Sequence, residues 1–136
     1  MDEARMRDWA LTLLRVVAEF LFLQHGGQKL FGWFAGHQVD TLFSQFGLAG
    51  ILEFVGGTLI VLGLFTRPVA FVLAGEMAVA YFQMHQPNGS LPILNHGELP
   101  VLFCFIYLYF AARGAGPFSL DALRHRRPIE ESVART

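Results

Sequence analysis

Four charged residues lie inside long apolar stretches of this chain, and they constrain its fold more than any other feature. Arg15, Glu19, Glu53 and Glu76 stand among Leu, Val, Phe and Ala residues in a sequence that is 54% hydrophobic. Stretches this apolar are typical of membrane spans, where a charge at the bilayer centre costs about 2.5–3.5 kcal/mol on insertion scales. Such charges are usually paired and turned toward other helices. The pattern predicts a small integral membrane protein with a polar site between its helices.

Length, charge and cysteine content exclude several classes of protein. A chain of 136 residues predicts one domain, and a net charge of -1 argues against nucleic-acid binding. The single Cys104 excludes an internal disulfide and a CxxC redox pair. The first residues carry both signs of charge and no small-residue cleavage site precedes Gly26, so we expect the first apolar stretch to be retained.

Apolar stretches separated by turn signals predict an all-α, integral membrane four-helix bundle. A soluble bundle would need polar outer faces, which stretches 59–65 and 101–110 almost entirely lack. The bundle is predicted to occupy residues 1–116 as one domain, with spans at about 9–31, 48–65, 68–85 and 98–113.

The distribution of arginine predicts the orientation of the bundle. Arg5 and Arg7 precede the first span, Arg67 lies in the turn between the second and third, and four arginines follow the fourth. The positive-inside rule then places both termini in the cytoplasm and loops 32–47 and 86–97 outside. Residues 117–136 are predicted to form a basic cytoplasmic segment, with a short surface helix capped by Ser119 and a disordered tail after Pro128.

The first helix carries a polar stripe. Arg15 and Glu19 are four residues apart and can pair, and Lys29 lies within the same arc of about 80° with His25 at its edge. Under the predicted topology, polar residues of all four helices meet near the outer face, namely His25, Lys29, Glu53, His85, Asn95 and Glu98. Glu98 and Tyr109 share one face of the fourth helix.

The histidines and Glu76 leave alternatives open. His25, His85 and His96 are ordinary interface histidines or belong to a metal, haem or quinone site. Glu76 precedes His85 by nine residues, about 180° around an ideal helix, so the two should not face one crevice unless the helix ends or bends. Glu76 could instead pair with Arg15 or Glu19, or face a second protomer. Together with the adjacent Gly56 and Gly57, it makes a homodimer a further expectation.

The ordered set of short motifs resembles the DoxX family of small four-helix membrane proteins. The matching pieces run through nearly the whole chain: Leu14-Arg15, His25-Gly26-Gly27-Gln28-Lys29-Leu30-Phe31-Gly32, Leu52-Glu53-Phe54-Val55-Gly56-Gly57, Leu62-Gly63-Leu64-Phe65-Thr66-Arg67-Pro68, His85-Gln86-Pro87-Asn88-Gly89, Asn95-His96-Gly97-Glu98 and Pro117-Phe118-Ser119-Leu120-Asp121. Glu76 stands where this resemblance leads us to expect an apolar residue, and His96 where it leads us to expect glycine.

The resemblance implies a multi-pass protein of the bacterial inner membrane with a redox-linked role, as in the small subunit of thiosulfate:quinone oxidoreductase. We expect it to handle a quinone or a small sulfur oxyanion, with quinone as the favoured cofactor and haem or a metal as alternatives. Glu53, Glu98 and His85 are the expected catalytic residues. Ligand contacts are expected from Arg15, His25, Lys29, Asn95 and His96, with support from Glu19, Glu76 and Tyr109.

Electrons would need a bound cofactor or a redox partner subunit, because the chain has neither CxxC nor a nucleotide-binding motif. Two other functions fit the same sequence. One is a non-enzymatic membrane scaffold for soluble redox or oxidative-stress partners, and the other is a small oligomeric transporter.

Overall fold

The computed structural model describes residues 1–125, and every regular element in this range is helical. Two helices are continued or interrupted by π-helical turns, at Leu52–Gly56 and Tyr81–His85. The elements in chain order are α1 (Glu3–Phe31), α2 (Gln45–Leu62), α3 (Thr66–Ala80, continued by the turn Tyr81–His85), α4 (Pro92–Asn95), α5 (Glu98–Arg113) and α6 (120–125).

Caps and glycines fix where the helices begin and end. Asp2 accepts a hydrogen bond from the Arg5 backbone N–H at 2.8 Å, so α1 begins at Glu3 rather than near residue 9. Ser44 caps α2 in the same way, so this helix begins at Gln45, three residues before the expected start at residue 48. Gly63 has φ 66°, and this left-handed residue ends α2 at Leu62 instead of residue 65. The last long helix, α5, begins and ends at the predicted residues.

Small residues let the first two long helices cross closely. A Cβ on Gly26 would lie 2.6 Å from the Phe54 backbone nitrogen, so only glycine fits at this crossing. Gly56 and Gly57 are also buried within the chain, and a Cβ on Gly56 would lie 3.0 Å from the Leu73 side chain. The two glycines that suggested a homodimer are therefore occupied by contacts inside one chain.

The surface of the bundle is apolar at mid-height. Phe20, Phe71 and Phe105 are each about two-thirds exposed, at 65%, 68% and 66%, which suits lipid rather than water as the surrounding medium. Among the described residues, only the helix Gln45–Leu62 is both long and apolar enough to cross a membrane by length and composition. The count of four spans and the cytoplasmic termini stay predictions.

The C-terminal segment closes the end of the bundle that carries the termini. The hydroxyl of Ser119 accepts a hydrogen bond from the Ala122 backbone N–H at 3.2 Å, which confirms it as the predicted cap. Trp9 of α1 packs on Phe118, with ring centroids 4.7 Å apart. Arg126, Arg127 and the predicted disordered tail after Pro128 lie outside the described residues.

Candidate functional site

A cavity of about 470 Å³ lies between the four long helices, at the end of the bundle away from the termini. Most of its wall is apolar and includes Phe22, Phe46, Met77 and Phe103. Polar side chains from all four helices or their ends also line it, namely His25, Lys29, Gln45, Glu53, Glu76, Gln83, His85 and His96. Six of the eleven candidate residues predicted from the sequence thus line one space.

Lys29 and Glu53 form an ion pair in the wall of the cavity. The Lys29 ammonium nitrogen lies 2.5 Å and 2.6 Å from the two carboxylate oxygens of Glu53. Glu53 is buried, with 4% of its surface exposed, whereas the Lys29 side chain is 24% exposed. A buried carboxylate needs such a partner, because an unpaired charge in an apolar interior is costly. The pair also occupies the one lysine of the cavity.

Two π-helical turns aim side chains at the cavity. Glu53 lies in the turn Leu52–Gly56, and His85 ends the turn Tyr81–His85. A π-helix bonds residue i to i+5 and rotates the following side chains relative to an α-helix. Glu76 and His85 were expected to face one crevice only if the helix ends or bends between them, and the turn Tyr81–His85 is such a change, because both side chains line the same cavity.

Glu76 brings buried carboxyl oxygens without a partner into the cavity wall. Both of its carboxyl oxygens are buried, and neither has a hydrogen-bond partner among residues 1–125. The sequence suggested a pair with Arg15 or Glu19, or contact with a second protomer. Neither the ion pair with Arg15 nor a hydrogen bond with Glu19 forms, and the side chain lines the internal cavity instead. A buried carboxyl group in this position is an open hydrogen-bonding site.

The geometry of His85 fixes its tautomer. Nδ1 lies 3.1 Å from the backbone carbonyl oxygen of Asn95. A carbonyl oxygen can only accept, so Nδ1 carries the proton and the neutral ring leaves Nε2 as an acceptor. Tyr81 stacks beside the ring at 6.5 Å between centroids. His85 can therefore accept a hydrogen bond from a molecule in the cavity.

Gln45 and Gln83 were missed by the sequence reasoning. Their side-chain amides are hydrogen-bonded to each other, and both line the cavity. The signal was present for Gln83, which follows Glu76 by seven residues and thus lies two turns along the same face of a helix. Nothing in the sequence marks Gln45, whose place depends on the path of the preceding loop.

Arg15 does not pair with Glu19 as expected, and it lies outside the cavity. The guanidinium group is 1% exposed and donates hydrogen bonds to the carbonyl oxygens of Ile60, Val61 and Phe118 at 2.7, 2.5 and 2.7 Å. It satisfies carbonyls at the end of α2 and ties them to the C-terminal segment, so its position is that of a structural residue.

One carboxylate oxygen of Glu19 bonds to a residue that the sequence analysis did not single out, while its Oε1 has no hydrogen-bond partner among residues 1–125. Its Oε2 accepts a hydrogen bond from the Tyr107 hydroxyl at 3.1 Å, and both residues are fully buried. The rings of Phe22 and Phe103, which line the cavity, pack beside Tyr107. Glu19 and Tyr107 therefore lie just beneath the cavity floor.

Three further predicted site residues lie away from the cavity. Asn95 is buried and holds the loop before α5 through bonds to Gly89 and Gly97 at 2.7 and 2.8 Å. Glu98 is exposed at the start of α5. Tyr109 is 48% exposed near the other end of that helix. The structure thus does not bring Glu98 or Tyr109 to Glu53, because the face they share points outward.

The polar groups do not form a metal cage. Among residues 1–125, no group of three or more His, Cys, Asp or Glu side chains is arranged so that it could hold a metal ion. The same groups can donate and accept hydrogen bonds around a small molecule that has a largely apolar body.

Comparison with known proteins assigns the family. The DoxX family model matches residues 10–86, more than half of the chain. A Haemophilus influenzae (strain Rd) protein of unassigned function is 39% identical over 123 residues, which cover 86% of this chain and 92% of that protein. No solved structure matches the chain.

Two similar proteins carry membrane names. The inner membrane protein YqjF of Escherichia coli K12 is 27% identical, over 90% of this chain and 98% of its own length. The membrane protein Rv3486 of Mycobacterium tuberculosis is 29% identical, over 87% of this chain and 83% of its own length. With the family model and the exposed apolar belt, these similarities lead to one conclusion: the chain is a membrane protein of the DoxX family.

Proposed function

We propose that this protein spans the bacterial inner membrane several times, with both termini in the cytoplasm, and binds a quinone in the cavity as part of a redox reaction. The similarity to YqjF, an inner membrane protein of Escherichia coli, supports this location for the chain. Under the positive-inside orientation, the cavity lies near the outer face.

The observation that carries this proposal is the carboxyl group of Glu76, buried and without a partner among the described residues, in a largely apolar cavity. A quinone has a flat apolar ring with oxygen atoms at its edge. A neutral Glu76 donates a hydrogen bond to a quinone carbonyl, and an ionised Glu76 accepts one from a hydroquinone hydroxyl. His85 Nε2 can accept a second hydroxyl. Each redox state of the ligand thus finds a partner.

The ion pair of Lys29 and Glu53 supports a quinone over a sulfur oxyanion as the ligand. A sulfur oxyanion would need a free positive charge in the cavity, but the Lys29 ammonium group is already held by both carboxylate oxygens of Glu53. Adding an anion beside Glu53 and Glu76 would bring like charges together. A neutral quinone or hydroquinone avoids this cost.

A partner must complete the redox reaction. The chain has one cysteine and no motif for a flavin or nucleotide, so electrons released by a hydroquinone would pass to a redox group of a partner subunit. In this scheme Glu76 and His85 take up or supply protons at the ring oxygens, while the Lys29–Glu53 pair shapes the cavity wall.

The test is quinone binding by the purified protein in mild detergent. Lipid extracts are analysed by mass spectrometry for co-purified quinone, and the delipidated protein is titrated with a short-chain ubiquinone analogue. We expect wild type to bind the analogue, and Glu76→Leu to bind it about tenfold or more weakly, since a hydrogen bond to a charged or buried carboxyl group is lost.

Glu98→Leu is the matched control, because it removes the same group from an exposed position outside the cavity. It should bind like wild type. Absence of quinone binding by wild type would overturn the proposal and favour a scaffold role. Equal weakening in Glu76→Leu and Glu98→Leu would show that the cavity is not the site.

A further inference from the structure

A second pocket, of about 840 Å³, lies at the opposite end of the bundle and is lined by three arginines, Arg67, Arg113 and Arg124. We refer to it as the arginine pocket. Its residues come from the start of α3, the end of α5 and the surface helix α6. These three guanidinium groups come from separate elements, so it is the fold that brings them to one place.

Arg67 is held in a fixed orientation. Its Nη1 donates to the Ala112 carbonyl oxygen at 2.6 Å, at the C-terminal end of α5. The guanidinium group lies close to Gly114, where an added Cβ would be 3.4 Å from Nε. The other edge of the group, Nε and Nη2, has no hydrogen-bond partner among residues 1–125. That edge is the one that binds carboxylate or phosphate oxygens in pairs.

Arg113 and Arg124 are also available to a ligand. Arg113 lies 3.8 Å from Asp8, Arg124 lies 4.0 Å from Asp121, and both side chains are about half exposed. Arg124 rests on the Phe65 ring, with its central carbon 4.4 Å from the ring centroid. Ion pairs at these distances on an exposed surface hold little energy, so a phosphate group would gain more from these arginines than their carboxylates do.

The carboxylate that lines the pocket, that of Asp121, already accepts hydrogen bonds from the backbone. The carboxylate of Asp121 accepts the backbone N–H groups of Phe65 and Thr66 at 2.9 and 3.0 Å. Three guanidinium groups against the carboxylates of Asp121 and Asp8 leave a net positive charge at the pocket. A ligand that carries one or two negative charges on phosphate oxygens matches it.

Apolar residues continue from the pocket toward the middle of the bundle. Phe71 lies one turn after Arg67 and is 68% exposed, and Tyr109 lies one turn before Arg113 and is 48% exposed. Since positive charge at one end and apolar surface beyond it match an amphiphile, we propose that the arginine pocket binds the phosphate of an acidic phospholipid, whose acyl chains lie along α3 and α5.

The experiment is native mass spectrometry of the full chain in mild detergent, titrated with phosphatidylglycerol and, as a neutral-headgroup comparison, phosphatidylcholine. Wild type should retain phosphatidylglycerol in preference to phosphatidylcholine. Arg67→Gln/Arg124→Gln should bind phosphatidylglycerol about tenfold or more weakly, because charge-assisted hydrogen bonds are lost. Arg124→Gln alone, at an exposed position, should show part of the loss and guards against misfolding of the double variant.

Arg5→Gln/Arg7→Gln is the matched control, since it removes the same charge from the start of α1, outside the pocket. It should retain phosphatidylglycerol like wild type. An equal loss of phosphatidylglycerol binding in both double variants would overturn the proposal. It would mean that the lipid is attracted by the overall positive charge of this end and not by the arginine pocket. Wild-type binding of inorganic phosphate that depends on Arg67 and Arg124, without preference for phosphatidylglycerol over phosphatidylcholine, would also overturn it.

Discussion

Glu53 and Glu76 line the same cavity, yet the chain satisfies one and leaves the other open. Glu53 is clamped by Lys29, so its charge is balanced in the folded state without a ligand. Glu76 has no partner among residues 1–125. A chain that needed only stability would place an apolar residue at position 76, since an unsatisfied buried carboxyl group costs about 1–3 kcal/mol. This cost is the reason to assign Glu76, rather than Glu53, to ligand binding.

Arg15 shows the opposite case of a buried charge that is bonded inside the protein, because both of its Nη atoms donate to carbonyl oxygens and only Nε lacks a partner among residues 1–125. We expect Arg15→Gln to lower the free energy of unfolding by about 3 kcal/mol or more, because three carbonyl groups lose a charged donor that is itself buried. The measurement is thermal unfolding in mild detergent, followed by circular dichroism. Arg15→Lys should be intermediate, since one ammonium group cannot reach three carbonyls in the way a guanidinium fork does.

Arg7→Gln provides the comparison for Arg15, because it removes the same charge from an exposed position on the same helix. It should change the unfolding temperature little. If the two glutamine variants unfold at the same temperature, Arg15 is not the tie between α2 and the C-terminal segment.

At the scale of elements, the π-helical turns explain which parts of the site the sequence could predict. Lys29 and Glu53 were expected at one end of the bundle because each lies near that end of an apolar segment, and the structure pairs them. Glu76 and His85 were placed on opposite sides only on the assumption that the helix keeps 3.6 residues per turn and neither ends nor bends between them. The turn Tyr81–His85 breaks that assumption, and no glycine or proline within it announces the change.

Helical spacing also failed to predict the partners of Arg15. Helical spacing made Glu19 its natural partner, but the guanidinium group bonds to carbonyls that become available only because Gly63 ends α2 beside it. A contact of this kind depends on tertiary packing, which one sequence does not contain. The class of the fold, in contrast, follows from apolar length and turn residues, which are local.

The start of α3 depends on Asp121, and this contact predicts a pH effect. Burial alone would raise the pKa of the Asp121 carboxyl group, but hydrogen bonds from Thr66 and Phe65 and the charge of Arg124 outweigh it and lower the pKa below its ordinary value of 3.8. The stabilisation is complete above the ordinary value and is lost as the pH falls through the lower pKa of the folded state.

We therefore expect Asp121→Asn to reduce the unfolding temperature at pH 6–8, by an amount that corresponds to about 1 kcal/mol. The gap between wild type and variant should narrow as the pH falls below about 4. Thermal unfolding in detergent across this pH range measures it. Asp40→Asn, at an exposed loop position, should unfold at the same temperature as wild type. A difference between wild type and Asp121→Asn that widens in acid would contradict the assignment.

At the scale of the whole molecule, the two polar sites lie at opposite ends of the bundle. The candidate quinone cavity lies at the end formed by Lys29, Gln45, His85 and His96, and the arginine pocket lies at the end that carries both termini. Between them the exterior is apolar. If arginine faces the cytoplasm, the lipid phosphate and the redox ligand are bound on opposite sides of the membrane.

This arrangement predicts the accessibility of each end, which single-cysteine labelling measures in a Cys104→Ala background. Cysteines replace exposed residues on the two predicted outer loops, His37→Cys and Ser90→Cys, and on the terminal side, Glu3→Cys and His125→Cys. We expect a membrane-impermeant maleimide to label positions 37 and 90 in intact spheroplasts. Positions 3 and 125 should react only after the membrane is permeabilised.

Full labelling of all four positions after permeabilisation is the control for reactivity. Labelling of 3 and 125 in intact spheroplasts, with 37 and 90 protected, would invert the orientation and place the arginine pocket outside. If only one of positions 37 and 90 were labelled in intact spheroplasts, the two loops would lie on different sides of the membrane. That result would contradict the four-span topology. The predicted result requires an odd number of crossings between residues 3 and 37, an even number between 37 and 90, and an odd number between 90 and 125, as four spans provide.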